Sequence, residues 1–149
     1  MARGEVKESI NAKFKGPYDA GEALTKGDVV YIKEADGKVY QADDTIVDEP
    51  KYVSKETYTA TATDVTLVCP PTVVDVRAAG TINPGALVKP ATSANKGQVL
   101  EHARGTISAT YVQAEIQATQ KEALLVVGRA TNKVAVTSGN DVEIILGGL

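Results

Sequence analysis

One spacing recurs along this chain and constrains its fold more than any other feature. Leu24, Gly27 and Val30 stand three residues apart. Ile82, Gly85 and Val88 repeat the step, and Val136, Gly139 and Val142 repeat it again. The first two copies extend further. Ala20–Ala42 holds a turn at Lys26-Gly27-Asp28, an apolar run Val29–Ile32, a second turn at Ala35-Asp36-Gly37 and a return run from Val39. Ala79–Glu101 reads Ala-Gly-Thr-Ile-Asn-Pro-Gly-Ala-Leu-Val-Lys-Pro, then a polar loop, then Gly97-Gln-Val-Leu-Glu101. Asp-Gly between two apolar runs is the strongest short-range hairpin signal. A chain that writes one hairpin twice, and half of it a third time, is built from like units. No copy carries a chemical motif, so the repeat speaks for architecture.

The apolar residues agree with strands. There are 19 Val and 15 Thr against 8 Leu, with no Trp and a single Phe. β-Branched side chains suit a pleated, half-buried surface, and so Leu-poor a core argues against a helical bundle. Thirteen Gly and six Pro punctuate the short apolar runs. At 149 residues the chain fits one domain with a core of useful size. A net charge of −3, with Lys and Arg scattered among acids, gives no basic stripe for nucleic acid. The lone Cys69 cannot form an internal disulfide and reads as a small buried hydrophobe. The longest strongly apolar run, Ala123–Val127, is far short of a membrane span, and Met1–Lys7 lacks the apolar core of a signal peptide. These features predict a protein made in a cytoplasm, with no membrane and no nucleic acid among its partners.

Residues 1–17 read as an N-terminal arm, and 18–149 as a single β domain. Arg3, Lys7, Lys13 and Lys15 mix with Glu5 and Glu8, and apolar residues are sparse. The sole Phe, Phe14, lies in this arm, followed closely by Tyr18. Aromatic side chains dominate interface energetics, so Arg3, Lys7, Phe14 and Tyr18 are the candidate partner-binding residues. Further along, the acidic loop from Asp43 to Pro50 reads as solvated, without the spacing of a calcium loop. Thr57–Thr63 alternates with period two and predicts a strand. Val65–Cys69 and Thr72–Ala78 predict two more, separated by Pro70-Pro71. Val112, Ile116 and Ala123 fall on one helical stripe, which fits a short helix over Tyr111–Glu122, while Thr110-Tyr111-Val112 equally suits the start of a strand. Leu124–Val127 predicts a buried strand, and Lys133–Val136 with Asp141–Leu146 a closing hairpin.

The residues of catalysis do not assemble in the sequence. His102 stands beside Glu101 without a nucleophile motif, and one His with one Cys makes no zinc spacing. Phosphate-loop and dinucleotide patterns are missing. No catalytic, cofactor-binding or metal residue is expected.

Ala79–Thr92, then Val126-Val-Gly-Arg-Ala-Thr131, then Ser138-Gly-Asn-Asp-Val-Glu-Ile-Ile-Leu146 resemble the capsid decoration (cement) proteins of tailed phages, similar in plan to the lambda-type head decoration protein. The resemblance covers roughly Ala20 to Leu149. It implies a mostly β, compact β-barrel or β-tulip-like domain built of hairpins, with at most one short helix and an extended N-terminal arm. It implies a homotrimer on the outside of an icosahedral head, clamping the major capsid protein, with neighbouring decoration trimers as further contacts and no enzymatic activity. Its place would be the virion surface. The segment from Ala103 to Glu122 is longer than that plan requires. Rival readings are a small β-barrel or β-clip binding module, an enzyme with a carboxylate site on a β scaffold, and a tail or head-fibre component.

Overall fold

Valine-rich runs cut by glycine and proline turns give ten short strands. A computed structural model describes residues 3–4, 13–103, 108–110 and 112–147. The strands are β1 (Lys13–Tyr18), β2 (Val29–Ile32), β3 (Val39–Gln41), β4 (Tyr52–Ser54), β5 (Val65–Cys69), β6 (Thr72–Arg77), β7 (Leu87–Pro90), β8 (Val99–Glu101), β9 (Gly128–Ala130) and β10 (Asp141–Leu146). Among the described residues one α-helix, α1 (Gln113–Leu125), lies between β8 and β9, and a short 3-10 turn, Ser93–Asn95, between β7 and β8. The protein is mostly β. Its strands form two antiparallel five-stranded sheets, ordered β1-β5-β4-β2-β3 and β6-β10-β9-β7-β8. Among the described residues the two outer strands of each sheet do not pair as strands, but Ala20 and Ala78, just past β1 and β6, bridge Val39 of β3 and Val99 of β8.

Those two orders are the same order, and the registers match pair by pair, apart from a shift in β1 between Lys15 and Tyr18 that β6 lacks. Phe14 faces Val68 as Val73 faces Ile145. Val53 faces Val68 as Arg129 faces Ile145. Val29 faces Val53 as Leu87 faces Arg129, and Tyr31 faces Tyr40 as Lys89 faces Leu100. Isolated bridges repeat too: Ala20–Val39 becomes Ala78–Val99, and Leu24–Tyr58 becomes Ile82–Val136. The chain is therefore two copies of one five-stranded unit, joined at Pro70-Pro71. Thr72 Oγ1 donates to Cys69 O at 2.7 Å across that joint.

The recurring glycines mark the corners of these units. Gly27, Gly85 and Gly139 have φ of 86°, 73° and 85°, a left-handed conformation that costs a side chain but not glycine. The corner after Tyr58, equivalent to that after Val136, turns at Ala60-Thr61 without glycine. Hence the sequence spells three corners and the fold has four.

The units are fused by their cores. Ala20, Leu24, Val30, Val39, Val65 and Leu67 pack inside the first. The second unit's interior, including Ile82, Val88, Val99, Val142 and Ile144, forms a larger cluster that also takes in Val29, Val53 and Val68 from the first. Those three valines are wholly buried, so the outer face of the first sheet is covered by the second unit.

Several sequence expectations change. Lys13–Pro17, read as arm, belongs to β1. The open edge of β5 offers main-chain groups, which pair without regard to the sparseness of apolar side chains. Thr57–Thr63 is no strand: Tyr58 bridges Leu24 and the chain then turns. The closing hairpin does not form, because β10 pairs with β6 and β9 while Val136 pairs with Ile82. Leu124–Val127 is not a strand. The helix runs on to Leu125, which is buried, while Leu124 is 59% exposed. Both faces of that apolar run cannot meet one core. No helix among the described residues is long and apolar enough to cross a membrane.

Candidate functional site

β1 is the outermost strand of its sheet, so among the described residues no strand pairs with one line of its backbone. Its sequence suits an edge. Pro17 cannot donate to a ladder, and the pairing with β5 shifts between Lys15 and Tyr18. Gly16 lets the chain approach closely there; a Cβ at that position would lie 2.6 Å from Val65 O.

The four candidate residues are placed differently. Phe14 lies opposite Val68 and so on the same face as the covered valines, yet it is 47% exposed. Lys55 Nζ stands 4.7 Å from its ring centroid, within cation–π range. Tyr18 turns the other way and packs on the first unit's core beside Leu24 and Val30, so it supports the fold. Lys15, which hydrogen-bonds Tyr18, has its pKa raised by that bond and by the nearby Tyr52 ring. Arg3 reaches the Gly27 corner, where its Nε donates to Lys26 O at 2.8 Å. Gly4 N–H donates to Asp75 O on β6 at 2.7 Å, so residues 3–4 tie the first unit to the second. Lys7 lies outside the described residues.

Beside Phe14, Lys55 also lines an open polar groove of about 470 Å³ with Thr57, Tyr58, Asp64 and Thr66. Tyr58 OH accepts from Thr66 N–H at 3.0 Å, which fixes the phenol on the groove wall. Phe14, Lys55 and the groove make one continuous surface with an aromatic face, a cation and several hydroxyls. Such a surface, which also carries the Glu56 and Asp64 carboxylates, can bind and position a partner. Sequence reasoning missed Lys55, because nothing local links it to a residue 41 positions earlier.

Other titratable groups serve structure. Asp43, read as solvated, is 7% exposed, and its Oδ1 accepts from Thr45 N–H and the Thr45 hydroxyl. Lys51 donates to Glu49 O at 2.6 Å, and burial pushes its pKa down. Asp28 is buried; its Oδ2 accepts from Thr25 N–H at 2.8 Å and Gln41 Nε2 at 2.7 Å. Burial raises its pKa above the ordinary carboxylate value, against these bonds and the charge of Arg3. His102 Nε2 lies 3.1 Å from Glu122 O, and Lys89 Nζ donates to both Glu122 carboxylate oxygens at 2.7 and 2.9 Å. These bonds seat α1 on β7 and the end of β8. Among the described residues no cluster of three or more His, Cys, Asp and Glu is placed to hold a metal ion.

No protein-family model matches the chain, and no curated protein matches it.

Proposed function

We propose that this protein is a structural component of a tailed-phage virion. It binds the outer surface of an icosahedral head as a homotrimer and reinforces the lattice of the major capsid protein. The observation that supports this reading is the β1 edge, which no strand among the described residues pairs, with half-exposed Phe14 and its neighbour Lys55 on it. An extended segment of another protein can add to such an edge through main-chain bonds, with an aromatic side chain as anchor. The doubled β unit behind it supplies a stiff body. Many modest contacts on one shell then act together. No catalytic step is assigned to any residue.

The test is co-sedimentation of the full chain with expanded empty heads of the phage that encodes it. Saturable binding is expected, and Phe14→Ala, at a half-exposed position, weakens it about thirtyfold, as loss of a hot-spot aromatic does. Absence of binding by the wild-type chain, or full binding by the variant, overturns the reading. A second reading, a β-sheet binding module for a polar ligand, draws on the groove lined by Lys55, Thr57 and Tyr58. It predicts that Thr57→Val abolishes binding while Phe14→Ala leaves it intact.

A further inference from the structure

The two units of this chain are equivalent, but their outer faces are not equally covered. On the first unit the face of Val29, Val53 and Val68 is wholly buried by the second unit. Part of the cover is the β7–β8 hairpin. Gly97 O accepts from Val29 N–H at 2.8 Å, and Gly97 N–H donates to Ala42 O at 3.0 Å. Gly97 is so tightly seated that a Cβ there would lie 2.8 Å from Asp28 Cγ. On the second unit the equivalent face carries Leu87, Arg129, Ile145 and Val73. Leu87, Ile145 and Val73 are half-buried and Arg129 is exposed. α1 covers the flank of this face through Glu122 and Lys89.

The element that would cover the rest already exists. The equivalent of the β7–β8 hairpin is the β2–β3 hairpin, whose glycine, Gly37, has nothing within 4 Å of where a Cβ would stand. Its tip, Lys33–Lys38, is exposed and carries Glu34 and Asp36 between the flanking Lys33 and Lys38. Asp36 accepts from Lys38 N–H and Tyr40 OH, and those bonds hold its carboxyl below the ordinary pKa.

We infer that the β2–β3 hairpin of one chain docks on the outer face of the second unit of another copy, with the Glu34–Asp36 tip against Arg129. The contact repeats between chains the joint that already links the two units within one chain. It is head-to-tail, and a head-to-tail contact closes into a ring when its rotation permits. In such a ring the two units alternate, so three chains present six units in succession. Val73, Leu87 and Ile145 lose water in the contact, while the opposed charges fix its register. The inference rests on the self-association in the functional reading above and not on the particle.

The test uses the full chain, by light scattering from low micromolar to near-millimolar concentration. A trimer is expected. Glu34→Lys and Arg129→Glu each raise its dissociation constant about tenfold or more by placing like charges together, and the double variant recovers the wild-type value. Glu34 is an exposed tip residue, so its replacement tests the contact without disturbing the fold. A trimer indifferent to Glu34→Lys, or singles that weaken it without recovery in the double variant, overturn this surface. A trimer that fails to bind heads overturns the capsid reading alone. A monomer at every concentration overturns the self-association on which both rest.

Discussion

Gly27 and Gly85 hold the same corner in the two units, with the same left-handed backbone, but their surroundings differ. A Cβ at Gly85 meets open space, whereas one at Gly27 collides with the Arg3 side chain. Gly85→Ala therefore carries only the conformational cost, about 1–2 kcal/mol. Gly27→Ala loses that and also displaces Arg3, whose bond to Lys26 O adds about 1 kcal/mol. Urea midpoints should separate the two variants; equal losses would show that Arg3 does not hold this corner in solution. Next to it, Asp28 has its pKa raised by burial. A carboxyl that ionises less readily when folded costs no stability below its unfolded pKa. The cost enters as pH rises past the ordinary carboxylate value of 3.8 and is complete above the folded pKa. Asp28→Asn should thus improve relative to wild type between pH 3.5 and pH 7, as read by urea denaturation at both. A constant difference would show that the charge of Asp28 is fully compensated. Neither residue looks special in the sequence: Gly27 belongs to a repeat, and Asp28 reads as an ordinary turn aspartate.

α1 shows how far element-level reading reaches. A short helix was legible in the Gln- and Glu-rich run, but its face was not: Val112 lies outside it and is exposed, Ala123 is exposed, and Leu125 is the helix residue that is buried. Nor was its end, because Leu124–Val127 is apolar enough for a strand, and only the core decides that Leu125 and Val127 turn inward while Leu124 stays exposed. Its attachment was invisible as well. Lys89 and Glu122 are 33 residues apart, and their side chains are 15% and 24% exposed in the pair. Glu122→Ala leaves Lys89 half-buried without its carboxylate and should cost about 1–3 kcal/mol. The loss is local. Amide exchange should quicken throughout α1 while the β10 amides keep their protection. Uniform quickening would mean that α1 and the sheets unfold as one. β1 taught the converse lesson. Its side chains read as an arm, but an edge strand is held by backbone pairing that composition does not report.

At the scale of the whole molecule, the duplication explains the repeat, the matched registers and the unequal faces together. The spacing of Leu, Gly and Val determined by itself that the chain is mostly β and built of like hairpins, since left-handed corners demand glycine and pleated faces favour valine. β2–β3 and β7–β8 were readable because their partners are near in sequence. The pairings of β1 with β5 and of β10 with β6 and β9 were not, because long-range strand choice follows from which edges and faces remain open after the local hairpins form. The same distinction holds for the candidate surface. Phe14 could be singled out as the only phenylalanine, but its register against Val68, its partner Lys55 and its place on the outermost strand of its sheet came only from packing. The sequence determined the repeated hairpin and its glycine corners, because their signals are local. The tertiary structure decided which copy lies buried, which lies open and what each edge offers, because those depend on how two identical plans share one core.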